Sequence, residues 1–186
     1  MGMACELQVL TARQVEALKA NPQLVYDVIS AHSDGTAETL FDEPLPKELY
    51  LDKCWDILRF LMKKAGGQDG PNRKDWSSER LFGDEELSAD EELDTGYGVP
   101  YLRSIKETKK FADFLQQLTM DQLLSHLNYQ VMMGARVYGI ASAQDPNEEK
   151  QEIDGAREYA SDYYPDLRDY VLKAAAAECA LLLWIS

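Results

Sequence analysis

Residues 51–67, LDKCWDILRFLMKKAGG, combine several side chains that could do chemistry. Asp52 and Asp56 lie one helical turn apart, with Lys53 and Trp55 between them. Two carboxylates at this spacing share a helix face, so they could bind a divalent cation or share a proton. A metal ion needs further oxygen ligands, and no Asp-x-Asp or Glu-x-x-His partner lies near the pair. We therefore predict neither a metal site nor a cofactor, and keep these four residues as candidate binding residues.

The same segment also has a purely structural interpretation. Its apolar residues fall on one side of a helix: Leu51, Cys54, Trp55, Leu58, Leu61 and Met62. The charged residues Asp52, Asp56, Arg59 and Lys63 fall on the other side, with acids near the helix N-terminus and bases near its C-terminus. This pattern predicts a helix with its charges in water, an ion pair between Asp56 and Arg59, and Trp55 as a core anchor.

A second candidate site is the turn Gly96-Tyr97-Gly98. Two glycines permit an unusual backbone path, which could present the Tyr97 ring to a cleft. A tight turn that re-enters the core explains the glycines equally well. Five tyrosines in the C-terminal half could line a pocket or mark the edge of the core. They are Tyr138, Tyr159, Tyr163, Tyr164 and Tyr170.

Signs of catalysis are weak in this sequence. His32 and His126 are the only histidines, and His126 follows Ser125. Adjacent helix positions point about 100° apart, so this pair cannot form the hydrogen bond that nucleophilic catalysis needs. No G-x-S-x-G, P-loop, G-x-G-x-x-G or H-E-x-x-H motif occurs. We predict no catalytic residue from local motifs, and whether the protein is an enzyme stays open.

The charge balance narrows the classes of partner. Nineteen Lys and Arg against 33 Asp and Glu leave a net charge of −14. Such a surface repels phosphate backbones and anionic lipid, so we expect neither nucleic-acid nor membrane binding. It would attract a basic protein partner, or it could simply keep the protein soluble. The seven acids of residues 82–98 do not have the spacing of an EF-hand loop, and they predict a solvated loop or a docking strip.

The cysteines indicate a reducing compartment. Cys5, Cys54 and Cys179 are far apart and form no C-x-x-C pair, which is typical of buried thiols in a cytoplasmic protein. The opening residues lack the basic start of a signal peptide, and the closing ALLLWIS is too short to span a bilayer. We therefore expect a cytoplasmic protein of unknown oligomeric state.

The elements that must position these residues are mostly helices. The alternation of Cys5, Leu7 and Val9 with Glu6 and Gln8 predicts a first strand. Capping boxes begin at Thr11, Ser104 and Thr119, and Asn21-Pro22 predicts a further helix start. Residues 32–47 read as a loop. Residues 66–98 form a long acidic and Gly-rich connection, which predicts either short helical turns around Trp76–Phe82 or a mobile segment.

The C-terminal region completes the predicted fold. Residues 137–140 suggest a short strand or buried turn, residues 146–161 a polar helix, and Pro165 the first turn of another helix. The unbroken apolar run 180–185 predicts a strand covered on both faces. The whole, residues 1–186, is predicted as a single helix-rich α+β domain with its N- and C-terminal strands in one small sheet.

Four segments resemble the YfbM-like family, bacterial proteins of unknown function. They are the MGMACELQVL start, the Leu-Asp-Lys-x-Trp-x-x-Leu pattern from Leu51, the Gly-Tyr-Gly turn before Tyr101-Leu102, and the closing helix and strand from Tyr170. In that family the tryptophan is often followed by histidine, and an arginine often precedes the tyrosine after the turn. Here Asp56 follows Trp55, and Arg103 comes after Tyr101-Leu102. The resemblance implies a compact α+β fold, adds Arg103 to the candidate binding residues, and implies no established activity.

Two functions are consistent with these observations. The first is a non-enzymatic protein-interaction domain whose acidic surface binds a basic partner. The second is a small-molecule-binding protein or enzyme, with a pocket near the Asp52/Trp55 helix and the Gly96-Tyr97-Gly98 turn. The −14 charge and the missing catalytic motifs favour the first function.

Overall fold

The computed structural model describes residues 2–34, 39–40, 43–66, 85–87, 93, 95 and 97–186. Its helices are α1 Ala12–Ala20, α2 Val25–Asp34, α3 Trp55–Ala65, α4 Ile105–Gln117, α5 Met120–Leu124, α6 Tyr129–Gly134 and α7 Pro146–Ala176. Its strands are β1 Cys5–Leu10, β2 Thr39–Leu40, β3 Glu43–Pro44, β4 Leu49–Tyr50, β5 Glu85–Glu86, β6 Tyr101–Arg103 and β7 Ala180–Ile185. Short 3₁₀ turns at Pro22–Leu24 and Asp52–Cys54 precede α2 and α3.

The terminal strands form the centre of the sheet. β1 pairs antiparallel with β7 over its full length, from Cys5 opposite Ile185 to Leu10 opposite Ala180. The described strand order is β4-β1-β7-β6-β5, and a separate hairpin joins β2 to β3. The prediction of a helix-rich α+β fold with both terminal strands in one sheet is therefore confirmed. β6, which pairs with β7 on its other side, was not predicted.

Helices cover both faces of the sheet. Leu181 and Leu183 lie in one core cluster with residues of α3, α4 and α7, whereas Leu182 and Trp184 pack in a second cluster with residues of α1 and α2. Successive strand residues point to opposite faces, so an apolar run without alternation fits a strand buried on both sides. The prediction for β7 is confirmed. Gln8 on β1 is fully buried, and its side-chain amide is satisfied by donating to the carbonyl oxygens of Val9 and Pro46.

Local capping signals located several helix starts correctly. Full capping boxes form at Thr11 and Thr119. At Ser104 only the hydroxyl half forms, since the Glu107 carboxylate binds Lys110 instead. Asn21 makes no side-chain cap, and the chain passes through a 3₁₀ turn before α2. The helix predicted after Thr119 divides in two, because Asn128 caps a new start at α6.

The predicted break at Pro165 is absent. α7 runs unbroken for 31 residues, with Pro165 inside it. Proline removes one helical hydrogen bond, but the turns on either side bury Ala160, Tyr164 and Leu167 in the core. Burial of apolar surface therefore outweighs the local preference for a helix start. In the region predicted as a loop, α2 extends to Asp34 and the β2–β3 hairpin follows.

The helical turns expected around Trp76–Phe82, within the long 66–98 connection, lie outside the described residues. Within the described part of the chain, none of the helices combines the length and apolar character that a bilayer crossing requires.

Candidate functional site

Helix α3 is buried on more sides than its sequence pattern predicts. The six apolar residues predicted to face inward are all buried, but Ile57 and Phe60 are buried as well. Asp56 is only 4% exposed, so the prediction that it faces water is wrong. The reason is tertiary: a turn at residues 137–140 covers this side of the helix, and a Cβ at Gly139 would lie 3.6 Å from Cδ1 of Ile57.

Asp56 joins the helix to that turn. Its Oδ1 accepts a 2.6 Å hydrogen bond from Nε of Arg59 and lies 2.5 Å from Nη2 of the same guanidinium, which confirms the predicted ion pair. Its Oδ2 accepts a 2.7 Å hydrogen bond from the backbone N–H of Tyr138. Both carboxylate oxygens are therefore in use, and a buried charge with this many partners is well satisfied.

Trp55 and Tyr138 connect the same turn to the N-terminal strand. The Trp55 indole donates to the carbonyl of Met3 at 3.2 Å, and the Tyr138 hydroxyl accepts from the Met3 N–H at 3.1 Å. The two rings stack with centroids 6.0 Å apart and an interplanar angle of 20°. Trp55 is 7% exposed and acts as the predicted core anchor. Together these contacts hold three segments distant in sequence in one rigid arrangement.

A cleft of about 580 Å³ opens beside this scaffold, and we call it the Lys53–Arg136 cleft. Its lining residues are Lys53, Met133, Arg136, Val137, Tyr138, Gly139, Ile140 and Ala141. Lys53 and Arg136 are exposed, while Val137 in the wall is 4% exposed. Gly139 has a φ of +91°, a conformation that residues with a side chain rarely adopt. The cleft therefore pairs two cations with an apolar wall.

Asp52 lies in a cluster of phenols beside α7. Its backbone has a φ of +43°, and its carboxylate accepts hydrogen bonds from Tyr159 and, at 3.3 Å, from Tyr50. The Tyr159 ring meets Tyr163 edge to face at 5.1 Å. Burial, followed by the hydrogen bond to Asp52, raises the pKa of Tyr159 above its ordinary value. Tyr159 consequently stays protonated and serves as a hydrogen-bond donor at neutral pH.

The nearby thiol is equally unreactive. Burial is the main cause that raises the pKa of Cys54 to about 12, and its Sγ donates to the Tyr159 carbonyl at 3.5 Å. All three cysteines are free and buried. A thiol in this environment holds very little of the thiolate that acts as a nucleophile or metal ligand.

Two of the candidate binding residues lie elsewhere. Tyr97 is 48% exposed in a turn before β6, where the Thr95 N–H and hydroxyl both bond the Gly98 carbonyl. Gly98 has a φ of +111°, which is the unusual backbone conformation that the sequence analysis predicted for this turn. Arg103 on β6 is 1% exposed, with its guanidinium 4.5 Å from the Phe111 ring centroid under α4. No contact found among the described residues joins Tyr97 to the Asp52 cluster or to the cleft.

The Ser125–His126 pair lines a separate cavity of about 370 Å³ with Phe114 and other residues. The Ser125 hydroxyl donates to the Gln122 carbonyl at 2.7 Å, so its proton is directed at the backbone and not at the histidine. A search of the described residues found no group of three or more His, Cys, Asp or Glu side chains placed to hold a metal ion.

The structure thus gathers Asp52, Lys53, Trp55 and Asp56 around one end of α3, because they share one helical segment. Sequence reasoning missed Arg136 and Gly139, and it named Tyr138 only as one of five tyrosines that could line a pocket. These three residues complete the cleft. The available signal was the Gly134-Ala-Arg136 helix end followed by an apolar turn containing Gly139.

Comparison with known proteins identifies the family of this chain and a solved structure with the same fold. A family model described as "Domain of unknown function (DUF1877)" matches residues 1–184. The chain belongs to this family. Among solved structures, YfbM from Escherichia coli, itself described as a protein of unknown function, aligns with a TM-score of 0.64 and 17% identity. The alignment covers 98% of this chain and 99% of that one, so the two share a fold. The YfbM-like resemblance is confirmed, and a search of curated proteins found no match.

Proposed function

We propose that the protein is a non-enzymatic interaction domain whose acidic surface binds a basic protein partner. The observation that carries this proposal is a row of exposed carboxylates on α7. We call it the α7 acidic face, and it consists of Asp154, Glu158, Asp162, Asp166 and Asp169. At about 1.5 Å per residue, the row extends for about 22 Å along the helix.

This row has a structural cost. Like charges four residues apart on a helix destabilise it by about 0.2–0.5 kcal/mol for each pair. Asp169 offsets this with a 2.6 Å ion pair to Lys173, but no ion pair of the other four acids is found among the described residues. Their mutual repulsion would be relieved by a cationic surface placed against them. A basic partner is therefore the natural ligand for this face.

Buried thiols and phenols in the interior are held in their neutral forms. Burial raises the pKa values of Cys5, Cys54 and Cys179, and of Tyr159 and Tyr170. Groups shifted in this direction are poor nucleophiles at neutral pH. Their hydrogen bonds serve the fold: the Tyr170 hydroxyl, for example, bridges the Leu7 carbonyl and the Val9 N–H on β1.

The test compares two variants of equal charge. In the first, Asp154, Glu158, Asp162 and Asp166 are changed to the matching amides. In the control, four exposed acids elsewhere are changed in the same way: Glu16, Asp27, Asp113 and Asp121. Removing four carboxylates takes the net charge of either variant from −14 to −10. Both variants are immobilised beside the wild type and exposed to cell lysate at low and high salt.

We expect the wild type and the control to retain the same basic protein at low salt and to release it at high salt. The α7 variant should lose that protein at unchanged net charge. Equal loss by both variants would reduce the interaction to bulk charge and contradict a docking face. Failure of the wild type to retain any partner at low salt would overturn the proposal.

A second candidate function is favoured by a specific observation, the Lys53–Arg136 cleft. This second function is that of a small-molecule-binding protein or enzyme, with a pocket near the Asp52/Trp55 helix and the Gly96-Tyr97-Gly98 turn. The cleft supports the helix part of this expectation. Its second wall comes from residues 136–141, and Tyr97 is not among its lining residues.

A further inference from the structure

We propose that the Lys53–Arg136 cleft binds a small organic anion, a carboxylate or phosphate monoester head on an apolar body. This inference rests on the second candidate function and is independent of the α7 acidic face. The cleft volume of about 580 Å³ lies within the range of small-molecule sites. Two cations at the rim and a wall of Met133, Val137 and Ile140 match the two halves of such a ligand.

The local charges favour an anion although the chain as a whole is acidic. In the described part of the chain, Lys53 and Arg136 have no ion-pair partner. The carboxylates close to the cleft are occupied: Asp56 binds Arg59 and the Tyr138 N–H, and Asp52 accepts from two tyrosines. Glu152 accepts a 2.9 Å hydrogen bond from the Ala141 N–H. The two cations are thus left available for a ligand.

The backbone at Arg136 strengthens the argument. It follows α6 with a φ of +55°, the Arg136 N–H bonds the Met133 carbonyl, and the Val137 N–H bonds the Met132 carbonyl. This is the Schellman arrangement that ends many helices, and glycine is strongly preferred at its left-handed position. An arginine there strains the backbone, and no ion pair of its side chain is found among the described residues. Strain of this kind is a common feature of ligand sites.

A second helix end provides an internal comparison. α7 ends in the same way at Glu178, with a φ of +56° and hydrogen bonds from Glu178 and Cys179 to the carbonyls of Ala175 and Ala174. There the side chain forms a 2.6 Å ion pair with Lys109. The Glu178 side chain therefore has an ion-pair partner, whereas Arg136 lines the cleft.

The cleft is held in shape before any ligand arrives. Asp56 and Trp55 fix the turn that carries Tyr138 and Gly139. Lys53 packs so closely against Gly2 that a Cβ at Gly2 would lie 2.4 Å from the Lys53 Cε. A site fixed in this way loses less conformational entropy on binding.

The test is an NMR titration of the ¹⁵N-labelled protein with four probes. Hexanoate and hexyl phosphate carry both the anion and the apolar chain. Hexanol carries only the chain, and inorganic phosphate only the charge. We expect saturable shifts at the amides of residues 136–141 with hexanoate, hexyl phosphate or both, and markedly weaker ones with the other two probes. Comparing the two anionic probes decides between a carboxylate and a phosphate head.

The variants Arg136→Gly and Lys53→Met each remove one cation, and Glu178→Gly is the matched control. Both glycine changes relieve the same backbone strain, so neither should unfold the protein. We expect Arg136→Gly and Lys53→Met each to weaken probe binding by about tenfold or more, while Glu178→Gly binds as the wild type does.

Three results would overturn the proposal: no saturable shift with either anion, shifts that map away from residues 136–141, or unchanged affinity in both cation variants. These outcomes leave the α7 acidic face untouched, because retention of a basic protein is measured in a separate experiment. Loss of partner retention with intact anion binding would conversely contradict only the interaction proposal.

Discussion

Removal of the Asp56 carboxylate is the sharpest test of how α3 is held in the fold. The side chain is 5% exposed and accepts hydrogen bonds from Arg59 and from the Tyr138 N–H. In Asp56→Ala the Tyr138 N–H loses its acceptor, and the guanidinium loses its counter-ion. The turn that carries Tyr138 then loses one of its attachments to the helix, and the stacking of Tyr138 on Trp55 remains.

The magnitude follows from these lost contacts. Breaking a buried ion pair by removing one partner costs about 3–5 kcal/mol, because the other charge stays unpaired. The Arg59 side chain is 30% exposed, so water can solvate it in part. We therefore expect the lower end of the range, a loss of about 3 kcal/mol in the free energy of unfolding.

The matched control is Asp169→Ala, which breaks an exposed ion pair on α7. Asp169 and Lys173 are 64% and 76% exposed, and such a pair contributes only about 0.3–0.5 kcal/mol. Both changes place alanine in a helix, so helix propensity favours both variants alike. Urea unfolding followed by far-ultraviolet circular dichroism measures the two free energies.

A double variant separates the charge effect from the loss of contacts. Adding Arg59→Met to Asp56→Ala removes the unpaired guanidinium and should recover part of the lost stability. If Asp56→Ala cost no more than Asp169→Ala, Asp56 would not be buried and paired as described, and the account of the cleft scaffold would fail with it.

Three further changes test other parts of the structure. Tyr170→Phe removes the hydroxyl that bridges two backbone groups of β1 and should destabilise the protein by about 1–3 kcal/mol in urea unfolding; an unchanged midpoint would contradict that bridge. Glu178→Gly should raise the urea midpoint, because the relief of left-handed strain outweighs the loss of the exposed ion pair with Lys109, and a lower midpoint would contradict this. Burial, and after it the negative charge of Glu48, raises the pKa of Glu6 above its ordinary value of 4.5. Between these two pKa values the native state binds more protons than the unfolded state, so the stability of the wild type falls as the pH rises. The variant Glu6→Gln should therefore be more stable than the wild type above pH 4.5 and closer to it in stability below that pH. A difference in unfolding free energy that stays constant across a pH series would refute this.

For several site residues the sequence predicted a local contact or a candidate role correctly but did not predict the structural environment. The spacing of Asp56 and Arg59 predicted their ion pair correctly, because that contact is local to one helix. The same spacing predicted exposure, which is wrong, because the partner that buries Asp56 is Tyr138, 82 positions away. Arg103 became a candidate through a family resemblance. Its burial against Phe111 depends on strand β6, and this strand of three residues is too short to be recognised from the sequence pattern.

The sequence by itself determined the features that depend on neighbouring residues. The capping boxes at Thr11 and Thr119, the inner face of α3 and the apolar run of β7 all follow from hydrogen bonds or periodicity within a few positions. Tertiary structure alone decided the unbroken path of α7 through Pro165, the burial of Asp56 and the presence of Arg136 and Lys53 in one cleft. These depend on surfaces that meet only when distant segments pack, and the free energy of that burial exceeds the local preferences that a linear pattern records.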